Sequence, residues 1–282
     1  MSPPSRQPTD LPLATAPTKP RPGFPVRLAG LGAPAPAVQA APPGLPSATL
    51  AAAAHEGSRA AVPVPFGLGL DSSAVRQAMV TRLVAQGLSE PAVLQALAAV
   101  ERHRFVDSAL VNQAYEDTSL PIGLGQTISK PSVVGRMLAL LIQGRSRPLG
   151  RVLEIGTGCG YQSALLARLV REVYSLERLR ALHEKARDQL RPLRLHNVHL
   201  ILGDGMLGYP KGAPYDAILS SASGDSIPPA WLDQLAPGGR LVAPAALASG
   251  RQSLVVIDKT DQGCVQTILE AVHFVPLKSG LA

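Results

Sequence analysis

At 282 residues, 46% of them apolar, the chain is long enough to bury a full core and too apolar for disorder throughout. It carries 27 Lys or Arg against 20 Asp or Glu, a formal net charge of +7. Two cysteines, Cys159 and Cys264, exclude a disulfide framework and a clustered zinc motif, and no run reaches the roughly 18 apolar residues of a spanning helix; a soluble, cytoplasmic chain with no metal is expected.

Residues 1–70 hold 15 of the 27 prolines, 15 alanines and only two acids, Asp10 and Glu56. Proline removes backbone donors and stops helices, so this stretch reads as a disordered Pro/Ala-rich tail. Pro12 and Pro17 interrupt its only candidate for a secretory signal. The remaining 212 residues carry 22 bases and 18 acids, with no dense basic block. Aromatic residues make up 4% of the chain. That leaves few platforms for stacking bases, so nucleic acid is not expected as a partner, nor, without a spanning apolar run, is a membrane.

Ser72 and Ser73 are placed to cap a helix carrying Val75, Met79 and Leu83, ended by Gly87. Ser89 is placed to cap a second, with Pro91 in its first turn and Leu94, Leu97 and Ala98 on one face. The segment from Pro121 to Pro131 reads as a loop, and a third helix runs from Ser132 to Gln143. Beyond Gly144 short apolar runs alternate with helical patterns. Strands are predicted at 152–155, 172–176, 198–202, 215–219, 241–243 and 254–257, and helices at 162–169 and 181–190. Strands separated by helices imply right-handed crossovers and a mostly parallel sheet. The expected division is a helical cap with a loop over 71–143 and an α/β sheet over 144–282.

The strand at 152–155 runs into Gly156-Thr157-Gly158-Cys159-Gly160, followed by a helix. Glycine allows a sharp turn and close backbone approach to a ligand, and ligands bind at the carboxyl ends of parallel strands. The spacing is G-x-G-x-G rather than the dinucleotide fingerprint. Glu177, at the end of the next strand, suits hydrogen bonds from ribose hydroxyls. The bland alternatives are a plain strand–helix turn and a surface Glu.

The run Val152 to Gly160 resembles the first motif of the S-adenosylmethionine-dependent methyltransferases, and Glu177 corresponds to their ribose acid. Gly203-Asp204-Gly205 is similar to their adenine-contacting element, although Asp-Gly also favours a simple turn. Leu120-Pro121-Ile122-Gly123-Leu124-Gly125-Gln126-Thr127-Ile128-Ser129-Lys130-Pro131 resembles, more narrowly, the signature of the protein-L-isoaspartate O-methyltransferase family. Ala98 to Asp107 and Leu269 to Leu277 resemble that family's upstream helix end and C-terminal segment. Ser220-Ser221-Ala222-Ser223-Gly224 departs from its more usual Thr-Ala-Ala-Pro.

The resemblance implies a Rossmann-like methyltransferase fold, a mostly parallel sheet with helices on both faces and an N-terminal helical cap. It implies S-adenosyl-L-methionine as cofactor, held by Glu154, Gly156, Thr157, Gly158, Gly160, Glu177, Asp204 and Gly205. Methyl transfer to the free α-carboxylate of L-isoaspartyl residues in damaged proteins is implied, the ester then closing to a succinimide that reopens as aspartate. Such a carboxylate is ionised at pH 7 and needs no general base, so neutral donors suffice to hold it. Ser129 falls at the family's active-site serine, with Thr127 a second donor; Ser129 or Ser132 serving only as a helix cap is the competing reading. A monomer is expected.

Overall fold

A computed structural model describes residues 73–145, 148–246 and 250–282. The expected tail over 1–70, the capping role given to Ser72 and the stretch 247–249 lie outside the described residues. Helix α1, Ser73–Ala85, buries Met79, Val80 and Leu83, and α2, Pro91–Ala99, buries Val93, Ala96 and Leu97. The cap of α2 falls on Glu90 rather than Ser89, because proline suits the first helical position and so places the cap one residue before it. Two 3-10 turns follow, Arg102–Phe105 and Ser108–Gln113.

The segment expected as a loop is a hairpin. Strand β1, Leu120–Gly123, pairs antiparallel with β2, Gln126–Ile128, across Leu124 and Gly125. Gly123, Leu124 and Gly125 all have positive φ, as a tight hairpin turn demands. Helix α3, Pro131–Ile142, begins three residues after β2 ends.

The sheet strands are β3 (Leu149–Ile155), β4 (Val170–Glu177), β5 (Val198–Leu202), β6 (Tyr215–Ser220), β7 (Leu235–Ala246), β8 (Gln252–Thr260) and β9 (Gly263–Ala271). Their order is β5-β4-β3-β6-β7-β8-β9; the pairs from β5 to β7 are parallel and the last two antiparallel. Helices α4 (Tyr161–Leu166), α5 (Arg180–Leu190) and α6 (Pro229–Gln234) lie in the connections. This is the expected mostly parallel sheet with crossovers. Helix α4 stops before the expected Leu169, since Arg168 N and Leu169 N bond three residues back, to Leu165 O and Leu166 O, tightening the last turn.

Both faces of the sheet are covered. Along β8, Leu254 and Val256 enter one buried cluster, while Val255 and Ile257 enter the other. The first cluster also contains Leu97, Val134 and Leu138, so the N-terminal helices share a core with the sheet. The second packs around Trp231 and Tyr215. Alternation of this kind is what a strand buried on both faces requires. Strand β9 stands apart as an exposed edge.

Candidate active site

The sheet's connections reverse at β3, with β4 and β5 on one side and β6 and β7 on the other. A crevice therefore opens at the carboxyl ends of β3 and β6, where parallel sheets bind ligands. The glycine loop leaves β3 at that point. Gly156 N and Thr157 N both donate to Leu176 O, at 2.9 and 3.0 Å, which ties the loop to the end of β4. Gly156, Gly158 and Gly160 have φ of +89°, +56° and +89°, a region that costs other residues roughly 1–2 kcal/mol.

That backbone turn aims Gly158 N at Glu177 Oε2, 2.9 Å away. Glu177 Oε1 accepts from Leu179 N at 3.0 Å. The side chain is 6% exposed, so it is held at the end of β4 by two main-chain donors. Each carboxylate oxygen keeps a second lone pair for a ligand hydroxyl.

Two cavities meet here. The larger, about 250 Å³, is lined by Glu177, Gly205, Leu176 and Leu277 among others. The smaller, about 40 Å³, is lined by Ser129, Thr157, Cys159, Tyr161 and Gln162. Thr127, Gly156, Gly158 and Ser221 line both. Thus β2 and the short link from it to α3 bring the two expected hydroxyls, Thr127 and Ser129, against the glycine loop.

Ser129 does not cap α3. The cap residue is Lys130, with no side-chain bond, and the exposed first-turn amide of Ser132 donates to Asp117 Oδ1 at 2.8 Å. Since Asp117 serves that amide, the Ser129 hydroxyl is left without a capping role. Lys130 is exposed, as a solvated lysine would be.

Three of the expected cofactor residues line neither cavity. Glu154 is completely buried beneath the loop; its Oε2 accepts from the hydroxyls of Ser163 and Ser175, the latter at 2.6 Å. Burial pushes its pKa up to about 7, against the opposing effect of those hydroxyls. Ser175 Oγ also meets Thr157 Oγ1 at 2.6 Å, so Thr157 is tied to this buried network while touching the smaller cavity. Gly160 is the turn residue before α4, closed against Leu190. The Asp204 carboxylate accepts from Met206 N at 2.8 Å and Gly280 N at 2.6 Å, which is the turn-forming role open to an Asp-Gly pair. Its neighbour Gly205 lines the larger cavity, fixed by Trp231 Nε1 donating to Gly205 O at 2.7 Å.

Asp216, at the start of β6, accepts from Gly150 N and orients backbone far from both cavities. Cys159 is buried and its thiol pKa is raised by burial, the opposite of an activated nucleophile.

Ser221 was not among the expected site residues, although the segment around it was singled out as a departure. Its N donates to Ile155 O at 2.8 Å, and its hydroxyl accepts from Gln162 Nε2 at 2.8 Å. It thereby closes the junction between the cavities from the β6 side. Its position directly after β6, beside the sheet's switch point, is the signal that locates it.

Fold and site together define a class: a Rossmann-like methyltransferase of the S-adenosylmethionine-dependent type. The sequence profile of the protein-L-isoaspartate(D-aspartate) O-methyltransferase family matches residues 74–282. A protein-L-isoaspartate O-methyltransferase of Methylibium petroleiphilum is 55% identical over 267 residues, 93% of this chain and 97% of that one. A solved structure of a protein-L-isoaspartate O-methyltransferase superposes with a TM-score of 0.66 at 30% identity, covering 73% of this chain and 67% of the other. A Plasmodium falciparum protein solved with S-adenosyl-L-homocysteine shares the fold, with a TM-score of 0.64 at 24% identity over 72% of this chain and 98% of that one. The chain belongs to the protein-L-isoaspartate(D-aspartate) O-methyltransferase family, whose members methylate isoaspartyl residues of damaged proteins with S-adenosylmethionine.

Proposed function

We propose that this chain carries out the family reaction with the cofactor in the larger cavity and the substrate's α-carboxylate in the smaller. The observation that carries this reading is the shared wall of Thr127, Gly156, Gly158 and Ser221, which makes one cavity the continuation of the other. The larger cavity suits S-adenosylmethionine because it is lined by the buried Glu177 carboxylate, whose oxygens keep acceptor capacity, and by glycines that expose backbone.

When bound, S-adenosylmethionine supplies an activated methyl group on a sulfonium. Glu177 accepts hydrogen bonds from ribose hydroxyls and orients the nucleoside. Gly156, Gly158 and Gly205 permit close backbone contact, while Glu154, Thr157, Gly160 and Asp204 support the loop and turn from behind. Ser129 and Thr127 donate to the acceptor carboxylate. No residue removes a proton, because the carboxylate is already ionised near pH 7. Neutral donors leave its charge available for attack, whereas a direct Arg or Lys pair would hold it in the ground state. Tyr161 and Gln162 wall the smaller cavity and restrict water around the acceptor.

Residues 71–143 act as the substrate-side cap and 144–282 as the cofactor-binding sheet, because Thr127 and Ser129 come from the former and Glu177 from the latter. The small basic excess, spread without a block, speaks against a nucleic-acid partner, and two free cysteines fit a reducing, cytoplasmic compartment.

Incubation with labelled S-adenosylmethionine and paired peptides tests the reading: an isoaspartyl peptide is labelled and its aspartyl twin is not. Equal labelling of the pair, or none, refutes it. Ser129→Ala lowers kcat/KM for the isoaspartyl peptide about 10–100-fold, with cofactor affinity unchanged.

A further inference from the structure

Arg102 is completely buried, yet no carboxylate faces it within ion-pair distance among the described residues. A buried cation is costly unless its hydrogen bonds are well made, so the place where those bonds go is informative. Nε donates to Ala114 O at 2.8 Å, at the end of the second 3-10 turn. Nη2 donates to Ser129 O at 2.7 Å. The guanidinium carbon lies 4.9 Å from the centroid of the Tyr161 ring, within cation–π range. Nη1 and the Tyr161 hydroxyl are both buried without a hydrogen-bond partner of good geometry, and each influences the other's titration.

One side chain therefore joins three segments: the 3-10 turn ending at Ala114, the backbone of Ser129, and Tyr161 at the start of α4. Ser129 and Tyr161 both line the smaller cavity; Arg102 itself does not. An arginine with no ion pair, its nearest acidic influence being the more distant Asp117, thus stands one residue behind a pocket assigned to an anion. Its charge favours anion entry, while Ser129 keeps the guanidinium from pairing with the nucleophile directly.

We propose that Arg102 is the positioning residue of the acceptor site: it fixes the Ser129 main chain and holds a positive charge behind the pocket, so that substrate carboxylate binding depends on it and cofactor binding does not. This rests on the proposed assignment of the smaller cavity to the acceptor.

The test uses the full chain and a double-mutant cycle of Arg102→Lys with Ser129→Ala, together with Arg102→Met, each checked by circular dichroism. Arg102→Met, neutral and of similar length, raises KM for the isoaspartyl peptide about 30-fold or more, and its affinity for S-adenosyl-L-homocysteine stays within about twofold. Arg102→Lys keeps the charge and recovers much of that loss. If Arg102→Met does not fold, the cycle decides: in the Ser129→Ala background, Arg102→Lys costs only a fraction of what it costs alone, because it acts through a group already removed. Fully multiplicative effects overturn the proposal, as does a parallel fall in peptide and cofactor affinity. Wild-type protein that fails to label the isoaspartyl peptide overturns the functional reading and this inference with it. Normal wild-type labelling with multiplicative variants overturns this inference alone.

Discussion

Glu177 and Glu154 sit at the ends of neighbouring strands and meet opposite environments. Glu177 reaches the larger cavity and is held by Gly158 N and Leu179 N. Glu177→Ala therefore removes the proposed ribose acceptor and leaves two amides without partners. Cofactor affinity falls by about 1.5–3 kcal/mol, roughly ten- to a hundredfold in Kd. Glu177→Gln, which keeps one acceptor oxygen, falls by less. Calorimetric titration with S-adenosyl-L-homocysteine reads both, and unchanged affinity in Glu177→Ala removes the ribose assignment.

Glu154 faces the core, where Oε1 has no partner and Oε2 takes two hydroxyls. Burial raises its pKa from 4.5 to about 7, so between those values the native state binds more protons than the unfolded chain. Its contribution to stability is complete below about pH 4.5 and is lost as pH rises to about 7. Glu154→Gln stays neutral throughout. The variant therefore gains on the wild type by about 3 kcal/mol across that window, at roughly 1.4 kcal/mol per pH unit. Urea titrations at pH 4.5, 6 and 7.5 measure the difference. A constant gap between the two proteins shows that Glu154 does not titrate in the fold. The sequence placed both acids in the first motif and its sequel, but it carried no sign that one faces the cavity and the other the core. The difference comes from Ser163 and Ser175, which gather under the loop only in three dimensions.

At the level of elements, legibility followed hydrophobic pattern. Strands β3 to β6 are short apolar runs between helices and were read within a few residues. The hairpin β1–β2 was not, because its turn is Leu124-Gly125 rather than the Asn-Gly or Asp-Gly that marks such turns, and Leu124 adopts a φ of +53°. Strand β9 was missed for a different reason. An exposed edge buries neither face, so neither alternation nor a continuous apolar run shows in Gly263–Ala271. Pro237 and Pro244 hid the length of β7.

The glycine loop allows a quantitative test at this scale. An added Cβ at Gly160 would lie 2.9 Å from Leu190 Cδ1 and 3.0 Å from its Cγ, at φ +89°. At Gly238, φ is +72° and nothing lies within 4 Å. Gly238→Ala therefore shows backbone strain alone, about 1 kcal/mol, while Gly160→Ala adds overpacking and loses about 2–4 kcal/mol. Equal losses in urea titration would mean that α5 moves aside at no cost.

Across the whole molecule, the candidate site is legible where chemistry and chain order coincide and hidden where folding brings distant residues together. Thr127, Ser129, Gly156, Gly158 and Glu177 come from two local motifs. Ser221 and Arg102 come from neither: one follows β6 at the switch point, and the other reaches Ser129 across 27 positions of sequence. Arg102 lies within the Ala98 to Asp107 segment of the family resemblance, but nothing in that segment marks its guanidinium as set among carbonyls.

The two ends of the chain differ in their relation to this site. At the carboxyl end, Ala282 N donates to Arg178 O, Arg180 N donates to Ala282 O, and Gly280 N donates to Asp204, so the last residues are bound beside Glu177. At the amino end, the family match begins only at residue 74, and the described residues lining the two cavities all lie between Ile122 and Lys278. Residues 1–70 are therefore expected to contribute nothing to turnover. A chain begun at Asp71 keeps kcat/KM for the isoaspartyl peptide within about twofold of the full chain, since no described cavity residue is removed. A fall of about tenfold, equivalent to roughly 1.4 kcal/mol of transition-state stabilisation, would place part of the acceptor site in the amino-terminal segment. Unchanged kcat with a raised KM would narrow that contribution to substrate capture, where the five bases of residues 1–70 outnumber the two acids and would attract an anionic peptide.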